Sequence, residues 1–494
     1  MDTDTYVDFH KMTNRLYLGD NLDILRDRIE TESVDLIYLD PPFNSAKNYN
    51  LLFNEEDGTK AAAQRLVFGD TWTWNQESAA LFEEMVRAGG RVADVLEAFR
   101  TFLGNTTMLA YLTMMAPRLV ELRRVLKKTG SVYLHCDQTA SHYLKLLMDS
   151  VFGPTCYRNE IIWSYRRWPS PANHFQRMHD TLLFYSRESN GPGTFNVQYE
   201  ANSESYIKRF KGKTQVLDPE TKTRKLTVDA PSKGLPMRDV WDIKIIPGSG
   251  KERLGYPTQK PEALLERILA VSATKETVVL DPFCGCGTTV AVAERMKLPW
   301  IGIDIAHPAI AVIRHRLGPS VEFEFDGDPK TVTDLRALAA ADPFIFQFWA
   351  VGLLYGFPAD FKKGADRGID GKISFHDEPT GGRAKHIVIS VKSGKPNVEH
   401  VRSLLGVIER DKANIGVLVT LEPPTRQMEL EAASAGFYES YWWRSRHPRI
   451  QIIQGEQLLG GKRIDFPSPS DTFEARKKPP LGVNQPEQMR LLKF

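Results

Sequence analysis

The stretch VVLDPFCGCGTT, residues 278–289, joins an apolar β-rich run, a tight glycine loop and the start of a helix. Gly285 and Gly287 let the backbone come close to a ligand at the N-terminus of that helix. A second acid, Asp304, ends the next apolar run, WIGID, where a carboxylate can accept hydrogen bonds from both ribose hydroxyls of a nucleoside. The segment therefore predicts a nucleoside-bearing ligand at the carboxyl edge of a sheet.

A dinucleotide-binding oxidoreductase is the obvious rival for this loop. Such enzymes carry a third glycine three residues after the second, and Val290 stands at that position here. The preceding sequence, GYPTQKPEALLERIL, has no role in a nicotinamide enzyme. These two departures disfavour the oxidoreductase.

Short apolar runs alternate with helical patterns on both sides of the loop. This alternation predicts an α/β fold with a mostly parallel sheet and helices on both faces. A chain of 494 residues is too long for one core, so we divide it into several segments. They are a first domain at 1–325 with a variable basic region at about 157–250, a linker helix at 326–342, a second α/β domain at 343–467 and a flexible tail at 468–494.

Composition narrows the class of protein. No apolar run reaches the roughly 20 residues of a membrane helix, and the acidic N-terminus lacks the pattern of a signal peptide, so we expect a cytoplasmic protein without membrane contact. Four cysteines are too few for a disulfide framework, and Cys284 and Cys286 lack the second pair that a zinc site needs. The net charge of +2 is uninformative, but RNEIIWSYRRWP and KRFKGKTQ are locally basic with interleaved aromatics.

A second chemical motif, DLIYLDPPFNS at 35–45, places an acid, two prolines and an aromatic residue just after an apolar strand. A carboxylate and a backbone carbonyl there can accept hydrogen bonds from both N–H groups of an exocyclic base amine, whose lone pair is otherwise delocalised into the ring. Proline holds such acceptors rigid, and an aromatic face can stack on an extruded base. Taken alone, the motif is also compatible with a solvated turn after a strand.

Four ordered motifs together resemble the β group of amino-methylating DNA methyltransferases. That group carries a D-P-P-F tetrad, a target-recognition region, P-T-x-K-P and finally F-x-G-x-G. Here the tetrad at 40–43 is followed by the basic region, by PTQKP at 257–261 and by FCGCG at 283–287. The likeness covers roughly residues 14–317. It implies a Rossmann-like methyltransferase fold that uses S-adenosylmethionine, with a target-recognition insert for double-stranded DNA.

The resemblance assigns roles to the residues at matching positions. The catalytic set that would hold the base is Asp40, Pro41, Pro42 and Phe43. The cofactor-binding set is Asp20, Thr258, Lys260, Pro261, Asp281, Phe283, Gly285, Gly287 and Asp304. The candidate DNA contacts in the basic region, which also fit a solvated basic surface, are Arg166, Arg167, Trp168, Arg177, Lys208 and Arg209, with His174, Lys211 and Lys213 beside them.

The acid at the first tetrad position goes with adenine in this family, whereas serine usually marks N4-cytosine enzymes. Adenine N6 is therefore the favoured target, and N4-cytosine stays open. C5-cytosine methylation is disfavoured because it needs a Pro-Cys nucleophile, and Pro42 occupies the place of the cysteine. Methyl transfer further requires that the loops beginning at Asp40 and Asp281 lie side by side at one sheet edge.

The second domain resembles the Mrr-type branch of PD-(D/E)xK restriction nucleases. Asp370 and Lys392 match the nuclease pattern, Asp366 matches a further acid of that branch, and Asp370 would hold Mg²⁺ if the domain were active. Ser390 stands where glutamate or glutamine is required, so an acid from elsewhere, such as Glu399 or Glu409, would have to replace it. A domain that has kept the fold and lost cleavage is the alternative. Nearby Trp442 and Trp443 are expected to pack inside this domain.

The sequence thus predicts a site-specific adenine-N6 DNA methyltransferase within a restriction-modification or defence system. A bifunctional methyltransferase-endonuclease, an N4-cytosine enzyme and a non-enzymatic DNA-binding protein remain as alternatives. The intact Asp40 and glycine loop argue against the last of these. Whether the chain forms a homodimer or works with a restriction partner stays open.

Overall fold

The computed structural model describes residues 14–42, 72–169, 173–217, 221, 223–256, 258–359, 368–378 and 383–467. Two α/β units follow each other along the chain, each built on its own sheet. The predicted site residues Phe43 and Asp366 and the tail at 468–494 lie outside the described residues. The predicted α/β class and mostly parallel sheet are confirmed.

The first unit contains a nine-stranded sheet with the order β10-β4-β5-β3-β2-β11-β12-β1-β13. Only β5 runs against the direction of the other eight strands. The strands are β1 (Arg15–Leu18), β2 (Val34–Leu39), β3 (Leu126–Cys136), β4 (Tyr157–Ser164), β5 (His179–Ser186), β10 (Val240–Asp242), β11 (Val279–Asp281), β12 (Trp300–Asp304) and β13 (Glu324–Asp326).

Helices cover both faces of this sheet. One face carries α1 (Asn21–Arg28), α2 (Gln76–Ala88), α3 (Gly90–Leu103), α4 (Thr107–Val125) and α5 (Ser141–Phe152), and the other carries α7 (Glu262–Ser272), α8 (Thr288–Arg295) and α9 (His307–Leu317). Alternation along β2 shows why both faces are covered. Ile37 and Leu39 enter the core beneath α1–α5, whereas Leu36 and Tyr38 enter the core beneath α7–α9. Period-two burial on both sides requires a layer of helices on each.

The basic region contributes to this sheet as well as to an insert. Strands β4 and β5 and the short β10 are hydrogen-bonded into the nine-stranded sheet. Between β5 and β10 lie β6 (Tyr199–Glu200), α6 (Glu204–Phe210), β7 (Lys213–Leu217), β8 (Arg224–Pro231) and β9 (Leu235–Pro236). Within the described part of the insert, these strands pair only among themselves, so the part of the region that stands apart from the sheet is narrower than 157–250.

The second unit is a five-stranded mixed sheet with the order β14-β15-β16-β17-β20. Its elements are α10 (Val332–Ala341), α11 (Pro343–Leu353), β14 (Phe357–Pro358), β15 (Gly371–Phe375), β16 (Lys385–Lys392), α12 (Val398–Asp411), β17 (Ile415–Thr420), α13 (Arg426–Ser434), β18 (Phe437–Ser440), β19 (Ser445–Pro448), β20 (Ile450–Gln454) and α14 (Gly455–Leu459). Leu335 of α10 is fully buried in the same core as Phe346 and Ile389. The helix expected as a linker therefore packs onto the second unit.

The two units meet where α11 crosses α9. A Cβ built on Gly352 would lie 3.1 Å from the Cα of Ala311, so the absence of a side chain allows this close approach. The ring of His315 hydrogen-bonds the carbonyl of Tyr355 over 2.8 Å and meets the edge of Phe357. Phe357 in turn packs against the first unit's Tyr256 cluster, so the second unit touches the first directly behind the glycine loop.

Across the described ranges, no helix combines the length and the apolar character needed to cross a membrane.

Candidate active site at the carboxyl edge of the first sheet

The two motif loops lie next to each other. Strands β2 and β11 are parallel neighbours, with Leu36 opposite Val279 and Ile37 opposite Leu280. Both strands therefore end at the same edge, where Asp40 follows β2 and Asp281 closes β11. The side-by-side placement required for methyl transfer is confirmed by this register.

Asp40 is held by a cation from the PTQKP segment. The Lys260 ammonium forms an ion pair with the Asp40 carboxylate, and both side chains are largely buried, at 12% and 17% exposure. Lys260, which was predicted to bind the cofactor, pairs with the acid of the tetrad in the structure. Its role in cofactor binding stays a prediction. Pro41 is buried and Pro42 is exposed, while Phe43 and Pro257 lie outside the described residues.

Lys260 owes its position to a buried cluster of charges behind it. Its carbonyl oxygen accepts a hydrogen bond from the Thr288 hydroxyl at 3.3 Å, which ties the segment to the glycine loop. Glu262 then pairs with Arg295 at 2.7 Å and with Arg316 at 2.8 Å. Because these ion pairs are buried and share partners, they fix the segment in one place. Thr258 and Pro261 lie on the same segment, and Thr258 adopts a left-handed backbone with φ of 63°.

The glycine loop curls around the carboxylate of Asp304. The Gly285 N–H donates to one oxygen of Asp304 at 2.7 Å, and the Ala306 N–H donates to the other at 2.9 Å. Gly285 and Gly287 have φ of 50° and 71°, a region that favours glycine. Of the described residues, only Tyr256 would lie within 4 Å of a Cβ on Gly285, at 3.7 Å, whereas a Cβ on Gly287 would lie 2.7 Å from Ile313. The loop therefore leaves space at 285 and packs tightly at 287.

Negative charge accumulates at this edge. Burial raises the pKa of Asp281 to about 7, against hydrogen bonds from Thr289 and the Phe283 N–H, and the charges of Asp40 and Asp304 raise it further. Burial likewise raises the pKa of Asp304 to about 6, although backbone N–H groups lower it. A cation placed among these carboxylates would be stabilised by them.

Asp20 has a structural partner. Arg118 donates to both Asp20 carboxylate oxygens, at 2.7 and 2.9 Å, and to the Asn21 side chain at 2.6 Å. Asn21 then donates to the carbonyl oxygen of Pro282 at 2.8 Å. Asp20 is 38% exposed and thus stays accessible beside the loop that follows β11. Whether it also touches a cofactor stays a prediction.

In the second unit, Asp370 and Lys392 are brought to one end of the antiparallel pair β15–β16. The Asp370 carboxylate accepts a hydrogen bond from the Val391 N–H at 2.6 Å and is buried, at 3% exposure. Within the described ranges, no group of three histidine, cysteine or acidic residues is arranged to hold a metal. The two acids considered as replacements are engaged elsewhere, Glu399 by Arg402 and Glu409 by Arg449. These observations give no support to a Mg²⁺ site.

A family model described as DNA methylase, N6_N4_Mtase, matches residues 34–314, which is more than half of the chain. The chain belongs to this DNA methylase family. A second model, described as NACHT-associated inactive Restriction Endonuclease 1, matches residues 346–460 of this methylase. The predicted restriction-endonuclease-like domain is therefore confirmed at the level of the family, and the family's own description is of an inactive nuclease.

Several known proteins resemble this methylase. The Mod subunit of the type III restriction-modification enzyme StyLTI from Salmonella typhimurium is 25% identical over 57% of this chain and 50% of its own length, so the match spans half of that subunit. The DNA adenine methyltransferase YhdJ of Escherichia coli is 28% identical over 60% of this chain and 81% of its own. A solved DNA modification methylase from Thermus thermophilus matches 64% of this chain and 100% of its own at 16% identity and a TM-score of 0.35.

The described residues 166–169 and 173–177 are exposed near the sheet edge that carries Asp40, and several of them are basic. Strand β4 runs parallel to β3, so the segment that follows it at 165–178 starts at the same edge as Asp40. Trp168 and Phe175 are each 96% exposed, and Arg166, Arg167 and Arg177 are exposed beside them. Lys208 and Arg209 are exposed on α6 of the insert. Phe175 was missed from the sequence because nothing in the composition distinguishes an exposed phenylalanine from a core one.

Two aromatic assignments are corrected by the structure. Trp442 and Trp443, expected to pack in the second domain, are 54% and 44% exposed beside Tyr441 at the turn between β18 and β19. A hairpin turn carries side chains away from the sheet it joins, which local sequence does not reveal. Asp137, which follows β3, accepts hydrogen bonds from the N–H groups of Thr139 and Ala140. It therefore caps the turn that precedes α5.

Proposed function

We propose that this methylase transfers a methyl group from S-adenosylmethionine to the N6 amine of adenine in double-stranded DNA. The observation that supports it most strongly is the pairing of β2 with β11, which puts Asp40 and the glycine loop at adjacent strand ends. The acid that can hold an amine and the loop that can hold a nucleoside cofactor are thus neighbours, so the bound amine and the cofactor would be close enough to react.

The residues at this edge fit such a cofactor. S-adenosylmethionine supplies a methyl group on a positively charged sulfur, together with a ribose that presents two hydroxyls. Asp304 would accept from the ribose, and Gly285 leaves space for close approach. Burial mainly raises the pKa of Asp281, and the nearby carboxylates of Asp40 and Asp304, which raise it further, would suit a cation. Asp281, Phe283 and Gly287 would complete the site.

Asp40 is suited to orient the base amine. Its carboxylate would accept a hydrogen bond from the amine, so that the nitrogen lone pair is directed away from the ring. Lys260 holds that carboxylate in place through the ion pair. Pro41 and Pro42 restrict the backbone that carries it, and Phe43 is proposed to stack on the base.

Adenine is proposed over cytosine on two grounds. An aspartate heads the tetrad, and in the resembling group this acid goes with adenine. The relative YhdJ is named an adenine methyltransferase. The N4 amine of cytosine is the alternative that a base-resolved assay must separate.

We further propose that DNA lies across the segment 165–178 and the insert at 187–239. Exposed arginines would contact phosphates, and Trp168 or Phe175 could stack on bases near the extruded one. The matched relative from Salmonella is a Mod subunit, which supports a restriction partner for this chain. The second domain is proposed to bind DNA or that partner without cutting, because no metal site supports cleavage in its described residues.

Modified-base sequencing tests the proposal. Genomic DNA from adenine-methylation-deficient cells that express the protein is sequenced beside two variants, Asp40→Ala and Asp326→Ala. Asp326 is a matched control because it also ends a strand of the same sheet, where it pairs with the exposed Arg28 at 3.5 Å. We expect N6-methyladenine at one motif in the wild type and in Asp326→Ala, and none in Asp40→Ala. Signal on the cytosine amine would overturn the adenine assignment, and retained signal in Asp40→Ala would overturn the role of the tetrad.

A further inference from the structure

A chain of buried polar side chains runs behind Asp40. The Tyr38 hydroxyl lies 2.8 Å from Nδ1 of His135, and Nε2 of His135 lies 3.3 Å from the Asp180 carboxylate. The Tyr165 hydroxyl donates to the other Asp180 oxygen at 2.9 Å. Arg167 donates to the same hydroxyl at 3.3 Å and places its guanidinium over the Tyr165 ring. One continuous series of hydrogen bonds thus joins side chains from β2, β3, β5 and the end of β4.

These groups are expensive to keep in a core. His135 is 0% exposed, and Tyr38, Tyr165 and Asp180 are 2%, 4% and 9% exposed. Removing a charged or polar group from water is costly unless its hydrogen bonds are replaced. Here they are replaced by one another, and the bonds from His135 and Tyr165 lower the pKa of Asp180 although burial raises it. An apolar set of similar volume would fill the same space without that cost.

The two ends of this hydrogen-bonded series of side chains reach different parts of the proposed active site. At one end, Nδ1 of His135 lies 4.0 Å from an oxygen of Asp40, and Tyr38 is two residues before Asp40 on β2. At the other end, Arg167 belongs to the exposed basic segment beside Arg166 and Trp168. The buried connection therefore extends from the base-holding acid to the surface proposed to contact DNA.

The donor directions follow from Asp180. When Asp180 is ionised it can only accept, so Nε2 of His135 donates to it. In the tautomer with the proton on Nε2, Nδ1 accepts from the Tyr38 hydroxyl. This assignment lets each of the four groups bond its neighbour at once, so that moving one member disturbs the next.

We propose that His135 and Asp180 are positioning residues, which hold the Asp40 loop for methyl transfer and link its position to the DNA-contacting segment that begins at Tyr165. The inference rests on the proposed methyl transfer. Neither residue is required to touch the cofactor or the base. Contact of a phosphate with Arg167 would alter the Arg167–Tyr165 contact, and Asp180 and His135 would pass that change to the loop at 40.

The matched variants are Tyr165→Phe and Tyr185→Phe. Each loses one hydroxyl that hydrogen-bonds a carboxylate, Asp180 for Tyr165 and Asp149 at 2.7 Å for Tyr185, and each ring is buried. Only the first belongs to the chain behind Asp40. His135→Gln and Asp180→Asn complete the set and retain side-chain volume.

Three quantities are measured on the full chain: the affinity for S-adenosylmethionine, the affinity for a duplex bearing the motif found by sequencing, and the single-turnover transfer rate with both saturating. We expect Tyr165→Phe, His135→Gln and Asp180→Asn to slow transfer by about 10- to 100-fold, since misplacement of a catalytic group by an ångström can cost that much. In His135→Gln and Asp180→Asn both affinities should stay within about twofold, because neither ligand loses a contact. The affinity of Tyr165→Phe for the duplex should differ from that of the wild type, because Arg167 loses its bond to the Tyr165 hydroxyl. Tyr185→Phe should retain the wild-type rate.

Hydrogen exchange of peptides that cover residues 36–42 gives a readout that does not depend on activity. We expect faster exchange there in Tyr165→Phe, His135→Gln and Asp180→Asn, and unchanged exchange in Tyr185→Phe. Wild-type rates and wild-type exchange in Tyr165→Phe and Asp180→Asn would overturn the inference while leaving the methylase intact. If the wild-type protein transfers no methyl group to DNA, the proposed function fails instead, and the exchange data still decide whether the chain positions Asp40.

Discussion

Among single-residue contacts, the ion pair between Lys260 and Asp40 bears most on the role expected for Lys260. The sequence motif associates Lys260 with the cofactor, whereas in the structure its ammonium neutralises the acid that would hold the base. An unpaired carboxylate in this largely buried place would keep its charge only at a cost. The lysine is therefore expected to act mainly through Asp40.

Replacing Lys260 by methionine separates the two roles. We expect Lys260→Met to slow methyl transfer on the order of 100-fold, as for a displaced catalytic group, with a smaller loss of cofactor affinity. Lys127→Met is the control, because Lys127 also pairs with an aspartate, Asp35 at 2.8 Å, away from the active edge. Single-turnover rates and calorimetric binding measure both quantities. A loss confined to cofactor affinity would return Lys260 to the role predicted from the motif.

The raised pKa values of Asp281 and Asp304 make a prediction about pH. Asp304 loses its proton as pH rises through about 6, and Asp281 does so as pH rises through about 7. Negative charge at the edge therefore grows across that range. S-adenosylmethionine carries a sulfonium charge that S-adenosylhomocysteine lacks. We expect the ratio of their affinities to favour S-adenosylmethionine increasingly from pH 5.5 to 8. The ratio should grow by about tenfold for each unit by which the bound sulfonium lowers the pKa of a carboxyl.

Titration calorimetry with both ligands across this pH range measures the ratio. In Asp281→Asn the part of the rise near pH 7 should vanish and the part near pH 6 should remain. A ratio that does not change with pH in the wild type would show that the sulfonium is not held among these carboxylates. The same raised pKa of Asp281 means that the contribution of this residue to folding stability falls as pH rises from about 4 toward 7, since its carboxyl binds the proton more tightly in the folded state than in the unfolded chain.

At the scale of elements, the loop between β11 and α8 contains two glycines with different reasons to be glycine. Both have positive φ, but only at Gly287 would a Cβ collide with a neighbour, at 2.7 Å from Ile313 of α9. Among the described residues, the nearest neighbour of a Cβ on Gly285 would be the Tyr256 ring at 3.7 Å, an ordinary contact distance. We therefore expect Gly287 to serve helix packing and Gly285 to serve ligand approach.

Alanine at the two positions should therefore give different losses. Gly287→Ala is expected to destabilise the fold by about 1–3 kcal/mol, as overpacking does, through the contact between the loop and α9. Gly285→Ala should cost less stability and should weaken cofactor binding more, because its methyl group enters the open side. Thermal unfolding and cofactor titration of both variants measure these losses. Equal losses of stability would contradict the assignment of separate roles.

For the whole molecule, the contact between the units is expected to matter for the active edge. Phe357 of the second unit packs against the cluster that contains Tyr256 and Cys286. Tyr256 is also the ring 3.7 Å from a Cβ on Gly285. The second unit thus supports the wall of the proposed cofactor site from behind.

Phe357→Ala tests this support. We expect a lower melting temperature, together with weaker binding of S-adenosylmethionine, because the cavity that is left lets Tyr256 move. Leu430→Ala is the control, since Leu430 lies on α13 of the same unit and is 64% exposed. Differential scanning calorimetry and cofactor titration provide the measurements. If cofactor affinity in Phe357→Ala equals that of the wild type, the second unit does not support the site.

The sequence by itself determined the α/β class, the strands that carry the motifs and the acids at their ends. An apolar strand was expected just before Asp40, and β2 (Val34–Leu39) ends there. The stretch 278–289 was expected to reach the start of a helix, and α8 begins at Thr288. These features are local, because period-two and helical patterns, glycine turns and strand-ending acids are written in contiguous residues. The order of the motifs also sufficed for the resemblance to the methylase family.

Only the tertiary structure decided which distant side chains share a site. It paired Lys260 with Asp40 across 220 residues of chain, joined His135 to Asp180 and Tyr165 in one buried connection, and turned Trp442 outward. Such contacts depend on strand order and on which face each residue presents. A single sequence contains no local signal for either, because neighbours in a sheet are set by long-range packing of hydrophobic faces.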